Sequence, residues 1–231
     1  MAKKSTQARR GGDRRKTDRR RTSRAGGAAS RNAKRKALLV ATTNPHKLKE
    51  IVAILGDLPL DIKTLKDFPD VNTAEESGST FAENARAKAL HYAKATGLLT
   101  MAEDSGFEVD ALNCEPGIYS ARYLRPDATY PERFDAIYKA VKKQAGHSRA
   151  ARFVCALALA SGRDIMFETK GVVEGQLADK PSGSGGFGYD PIFCYPPYGK
   201  TFSEVSPERK MAVSHRGEAI RALRAHLEQN L

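Results

Sequence analysis

Carboxylates at Glu75, Glu76 and Asp104 and basic side chains at Lys47, Lys210, His215 and Arg216 are the residues of this sequence suited to work on an anionic ligand. Oxygen ligands of the Glu75, Glu76 and Asp104 type could hold Mg²⁺, which takes one or two protein carboxylates and completes its octahedron with water and phosphate. Lys47 ends the polar run TTNPHK, residues 42–47, between an apolar stretch and a helical one. A strand, a polar loop and a helix N-terminus make a ready anion site, because unpaired backbone N–H groups and the helix dipole face the loop. The loop is not a Walker A motif, since the G-x-x-x-x-G-K-[ST] spacing is absent. A second loop, SGSGGFGYD at 182–190, sets Phe187 and Tyr189 between glycines. Such glycines allow close backbone approach to a flat ligand, and an aromatic ring there can stack on a base. His215 and Arg216 fall in the first turn of a helix, where positive charge opposes the dipole, and that local cost asks for a ligand.

The elements that must hold these residues follow from periodicity. Residues 98–102 read as a buried strand that stops at Glu103-Asp104-Ser105-Gly106, a turn signal that would put Asp104 at a strand's carboxyl end, where open α/β sheets bind ligands. Residues 107–112 alternate as a further strand, and Pro116-Gly117 makes a turn ahead of Arg122. ALLVA at 37–41 is the first strand, followed by a helix with Leu48, Ile51, Val52 and Leu55 on one face. A second strand at 60–65 precedes a helix that opens on a Thr80/Glu83 capping box, buries Phe81, Ala85, Ala89 and Tyr92, and stops at Gly97. Residues 131–145 form another helix, and 151–160 with 164–178 form a long hairpin, so the sheet is mixed. Ser214 caps a last helix with Ile220, Leu223 and Leu227 inward.

The net charge of +12 over 231 residues suggests a nucleic-acid partner until it is divided along the chain. Residues 1–36 carry 15 Lys and Arg against two Asp, whereas the remainder holds 24 basic and 25 acidic side chains. The basicity therefore belongs to a tail, 1–35, which has too few large apolar side chains to offset its ordering entropy and is expected to be disordered. Any affinity for RNA or DNA would reside there; a solubilising extension or a misassigned start are the alternatives. Residues 36–231 form the folded domain. Three dispersed cysteines (Cys114, Cys155, Cys194) give no disulfide framework and point to a reducing compartment, the cytoplasm. The longest apolar run, 153–160, is too short to span a bilayer, so no membrane association is expected.

Taken in order, the segments TTNPHK, AEESGSTFAENARAKA, AEDSGFEVDALNCEPGIYSARY, ARFVCALAL, GSGGFGYDPIF and K-x-x-x-SHRG resemble the family of non-canonical purine nucleoside triphosphate pyrophosphatases, which act on inosine and xanthosine triphosphates. Thr43 and Pro45-His46 stand where family members often carry glycine, and the tail has no counterpart in the family pattern. The resemblance implies a two-lobed α/β fold with a long mixed sheet, a substrate cleft between the lobes and a homodimer. It also implies hydrolysis of ITP, dITP or XTP to the nucleoside monophosphate and pyrophosphate with Mg²⁺. By the same resemblance, Thr42, Thr43, Asn44, Pro45, His46 and Lys47 line the triphosphate and Asp104 is the catalytic carboxylate, with Ser105 a substrate contact. Phe187, Gly188, Tyr189 and Asp190, with Lys210, His215 and Arg216, form the nucleotide pocket. Glu75 and Asp104 are taken as metal ligands, with Glu76 able to replace Glu75. Phosphoanhydride hydrolysis asks for neutralised phosphates and an activated water, and these residue types supply both. Arg216 and Lys210 are expected to select a 6-oxopurine through O6 and N7. A pyrophosphatase for another aberrant nucleotide is the near alternative, and a nucleic-acid-binding protein acting through its tail the distant one.

Overall fold

The computed structural model describes residues 35–144, 146 and 148–231. The expectations for the basic tail therefore lie, Arg35 apart, outside the described residues. In chain order the elements are β1 (Lys36–Val40), α1 (Pro45–Leu55), β2 (Leu60–Thr64), α2 (Phe81–Thr96), β3 (Leu99–Val109), β4 (Glu115–Pro116), α3 (Tyr130–Lys142), β5 (Ala150–Ser161), β6 (Asp164–Leu177), β7 (Phe193–Tyr195), β8 (Lys200–Thr201), α4 (Pro207–Val213) and α5 (His215–Asn230).

The eight strands of the described residues join one mixed sheet in the order β2-β1-β3-β5-β6-β7-β8, with β4 added to β3. β1 runs parallel to β2 and β3, and every other pairing is antiparallel. The chain leaves β1 for β2 on one side and returns past it to β3 on the other. The two connecting helices accordingly pack on opposite faces, as right-handed crossovers require. Leu38, Val40, Met101, Cys155 and Leu157 share a core with Ile51 and Leu55 of α1 and Ile220, Leu223 and Leu227 of α5. Leu39, Ala102, Val154, Ala156 and Ala158 pack under Phe81, Ala85, Ala89 and Tyr92 of α2. The far ends of the long strands carry a third core, in which Phe107, Phe153 and Phe193 meet Phe134, Ile137 and Val141 of α3. Each fully buried aliphatic or aromatic side chain of this kind contributes about 1.5–3 kcal/mol relative to an exposed one.

Two expectations are corrected. The strand does not end at Asp104, and residues 107–112 are not a separate strand: β3 continues unbroken to Val109 and ends in a 3₁₀ turn, Asp110–Leu112. Gly106 is small for a packing reason, since a Cβ there would lie 2.4 Å from the Gly117 carbonyl oxygen and 2.5 Å from Ser120 Oγ. The capping of α2 is also shifted: Thr80 Oγ1 accepts from Glu83 N–H, but the Glu83 carboxylate reaches back to the Ser79 N–H and hydroxyl rather than to Thr80. Among the described residues no helix is long and apolar enough to cross a membrane.

Candidate active site

What ends near Asp104 is not its own strand but its neighbour. β1 pairs with β3 only from Leu99 to Met101, closes with an Ala41 N–H to Met101 carbonyl bond, and then turns into α1. The edge of β3 from Glu103 to Gly106 is thereby left open on that side, up to the Phe107 N–H that Ser120 Oγ accepts, at the point where the strand order reverses, which is where α/β sheets form ligand crevices. A cavity of about 310 Å³ occupies this crevice and is lined by the open edge of β3, the loop from β1 to α1, Lys88 of α2, the glycine-rich loop and the start of α5.

The pleat of β3 divides two consecutive carboxylates between the two faces of the sheet. Glu103 points toward α1 and α5, where Lys47 Nζ lies 2.7 Å and Arg216 Nε 3.7 Å from its Oε1. Burial would raise its pKa, but Lys47 and Arg216 outweigh that and hold it well below the ordinary carboxylate range. Asp104 points toward α2. Its Oδ2 accepts from the Asn84 amide at 3.0 Å and its Oδ1 lies 3.3 Å from Lys88 Nζ. Burial dominates here and raises the Asp104 pKa against the pull of Lys88 and Asn84. Asn84 is itself buried and also accepts the Gly78 N–H at 2.9 Å, which ties the acidic loop to the same amide.

That loop brings Glu76 rather than Glu75 to the cavity. Glu76 lines it, with Oε1 2.8 Å from Lys88 Nζ, whereas Glu75 lies outside the lining. Glu76 and Asp104 thus converge on one cation, with hard oxygen donors of the kind Mg²⁺ accepts. Among the described residues no group of three or more His, Cys, Asp or Glu side chains is arranged around a single ion position. Two carboxylates suffice when phosphate and water complete the shell. We expect Glu76→Gln to raise the Mg²⁺ concentration needed for half-maximal activity tenfold or more and Glu75→Gln to leave it within about twofold; a magnesium titration of both variants decides between them.

At the start of α1, Asn44 Oδ1 accepts from the backbone N–H groups of His46 and Lys47 at 2.9 and 3.3 Å, so the helix cap already uses two of the donors expected for an anion. Thr42, Thr43, Asn44 and Lys47 line the cavity; Pro45 and His46 do not. Pro45 opens the helix, and the His46 ring stacks on Phe187 with centroids 5.1 Å apart.

In the glycine-rich loop, Asp190 folds beneath Phe187, accepting its N–H at 2.8 Å and pairing with Lys210 Nζ at 2.6 Å. Gly186, at φ +68°, permits this, since a Cβ there would sit 2.2 Å from the Asp190 carboxylate. Gly188 and Tyr189 also line the cavity, but most of Tyr189 is a core pillar, stacked on Phe107 at 5.2 Å with its hydroxyl donating to the Ser120 carbonyl. Lys210 lies 4.5 Å from the Phe187 ring centroid, and Glu50 of α1 pairs with both Lys210 (3.1 Å) and Arg216 (2.7 Å). Arg216 also donates to Ser105 Oγ at 2.8 Å. His215 stacks on Phe153 with its Nδ1 unpartnered, and burial, together with Arg216 and Lys210, drives its pKa well below the ordinary value, so the ring is neutral. The positive charge at the α5 N-terminus is therefore Arg216 alone, compensated by Glu50 and Glu103.

Sequence reasoning missed Asn84, Lys88, Glu103 and Glu50. Asn84 and Lys88 lie one turn apart on the face of α2 that also carries Phe81, Ala85 and Tyr92. A polar stripe on an otherwise buried helix face was the available signal.

Residues 38–226 match the model of the Ham1 family. A dITP/XTP pyrophosphatase of Geobacter sulfurreducens is 44% identical over 190 residues, covering 82% of this chain and 96% of that protein. A dITP/XTP pyrophosphatase of Nostoc is 47% identical over 189 residues, 81% of this chain and 92% of the relative. Among solved structures, a HAM1 protein from Coxiella burnetii superposes with a TM-score of 0.79 at 40% identity, over 84% of this chain and 99% of its own. With a family model spanning most of the sequence, relatives matched over nearly their whole length and the same fold in a solved structure, this chain belongs to the Ham1 family.

Proposed function

We propose that this protein hydrolyses deaminated purine nucleoside triphosphates (ITP, dITP and XTP) to the nucleoside monophosphate and pyrophosphate. The observation that carries this reading is the division of Glu103 and Asp104 across the open edge of β3 inside one cavity. Glu103 fixes Lys47 and Arg216 on one side, while Asp104 and Glu76 form an acidic pair on the other. The dITP/XTP pyrophosphatases that this chain resembles point to the same chemistry.

In this reading the triphosphate lies along the loop from β1 to α1, with Thr42, Thr43, Asn44 and Lys47 donating to its oxygens. Asp104 receives the proton of the attacking water or orients it, and Asn84 holds the carboxylate in place. Glu76 and Asp104 would hold Mg²⁺, which would supply charge neutralisation on the phosphates and polarisation of the phosphoryl group. The base enters beside Phe187, with Ser105, Gly188, Tyr189 and Asp190 around it and neutral His215 beneath. Arg216 uses one hydrogen of each terminal nitrogen on Glu50 and Ser105, which leaves one on each. Lys210 spends two of its three donors on Asp190 and Glu50. The remaining donors suit O6 and N7 of a 6-oxopurine, whereas the adenine N6 amino group would oppose donor with donor. We infer in addition that the activity belongs to 36–231, that 1–35 is dispensable for it, and that the enzyme works as a cytoplasmic homodimer.

The test is a panel of ITP, dITP, XTP, GTP, ATP and dUTP, with and without Mg²⁺, read by pyrophosphate release. Preference for ATP or dUTP would remove the proposed substrate class, and a house-cleaning role on another base would take its place. Arg216→Lys keeps the charge but loses the planar fork, and should shrink the ITP-to-ATP ratio of kcat/KM roughly tenfold, mainly by loss of ITP activity. An unchanged ratio would make Arg216 a contact to phosphate or to Glu103 alone.

A further inference from the structure

Lys88 stands at the point where the two proposed metal ligands converge. Its Nζ lies 2.8 Å from Glu76 Oε1 and 3.3 Å from Asp104 Oδ1, and its side chain is only 12% exposed. Among the described residues no other cation pairs with both: Arg122 reaches Glu76 from 3.8 Å, and Lys47 is engaged with Glu103. Two carboxylates this close, in a part-buried cavity, resist joint ionisation unless a cation lies between them. Lysine is suited to that position because its charge is compact and its four-carbon stem can swing; the guanidinium fork of arginine would be held in place.

We propose that Lys88 is an internal counter-cation that holds the metal position between Glu76 and Asp104, is displaced when a divalent ion binds, and carries its ammonium to the triphosphate. The proposal rests on the pyrophosphatase reading of the site. An ammonium and a divalent ion cannot share one position, so metal binding without nucleotide is opposed by the need to expel Lys88. A bound triphosphate gives the displaced ammonium a new partner, and metal and nucleotide therefore favour one another. By linkage the coupling is reciprocal, and Lys88 is its source.

The experiment measures Mn²⁺ binding by electron paramagnetic resonance on the full chain, with no nucleotide and then with a non-hydrolysable inosine triphosphate analogue. Lys88→Met removes the charge at similar length. It should bind Mn²⁺ alone at least tenfold more tightly than wild type, gain more in Tm on Mn²⁺ addition, and lose most of the metal–nucleotide coupling. Lys88→Arg keeps the charge on a stiffer fork and should bind Mn²⁺ alone no more tightly than wild type. If Lys88→Met does not fold, the arginine variant decides: tighter Mn²⁺ binding in it overturns the proposal. Equal or weaker Mn²⁺ affinity in a folded Lys88→Met, or no Mn²⁺ binding in any form, overturns it as well. Because the nucleotide-free arm needs no turnover, it reads Lys88 even if wild type fails on ITP, and that failure would count against the substrate reading alone.

Discussion

Asp104→Asn should lower kcat by about 10²–10⁴-fold while the protein stays folded, the loss usual when a positioned proton acceptor is removed. The substitution keeps the volume, and the new carboxamide oxygen still accepts from Asn84. What disappears is the negative charge facing Lys88 and the cavity. The wild-type pH profile should carry the mark of the same group. Burial raises the Asp104 pKa, so the carboxylate is protonated and inactive over a wider acid range than a free aspartate, whose pKa is about 3.9. At limiting Mg²⁺, where proton and metal compete for Asp104, activity therefore climbs with pH along an acid limb that the residual activity of Asp104→Asn lacks. Steady-state rates on ITP from pH 4 to 9, with circular dichroism on the variant, check both statements. A folded Asp104→Asn with near-normal kcat at saturating Mg²⁺ would place the catalytic carboxylate elsewhere.

Much of this arrangement was legible because it is local. The apolar runs at β1 and β5, the Ser214 cap and the glycine loop around Phe187 are each decided within a few residues. Asp-Ser-Gly at 104–106 misled for an instructive reason. It is a turn signal by propensity, yet Gly106 is needed so that the Gly117–Ser120 segment can press on a straight strand. Tertiary packing overrode the local preference. Glu75 and Glu76 could not be ranked without knowing which of them the Gly78–Asn84 bond turns toward Lys88. The Arg216–Glu50 pair joins residues 166 apart, and no periodicity announces such a contact. Arg216 and Lys210 were legible as cations but not as cations already shared between Glu50, Glu103 and Asp190.

Glu103→Gln should be the most destabilising single substitution in the cavity, costing about 3–5 kcal/mol at pH 7. Removing one member of a buried ionic cluster leaves its partners charged and dry, and that penalty exceeds the net worth of the intact cluster. Lys47 would lose its 2.7 Å partner, and Arg216 would keep only Glu50 and Ser105. The buried Cys155 thiol, 3.5 Å from Glu103 Oε2, would face an amide instead of a carboxylate. The pH dependence has a fixed sign. The Glu103 pKa is depressed by folding, so its contribution is fully present above the unfolded value of about 4.3 and is lost as pH falls toward the folded value. Wild type and variant should therefore differ most at neutral pH and converge in acid, in urea titrations at pH 7, 5 and 3. Activity should change through KM: with Lys47 no longer braced, the KM for ITP should rise tenfold or more, while a nucleoside monophosphate, lacking the outer phosphates, should bind within about threefold of wild type. Equal stability of the two proteins at pH 7 would mean that water reaches Lys47 and Arg216 well enough to replace the carboxylate. In that case Glu103 would act only by aiming Lys47, and the KM shift alone would remain.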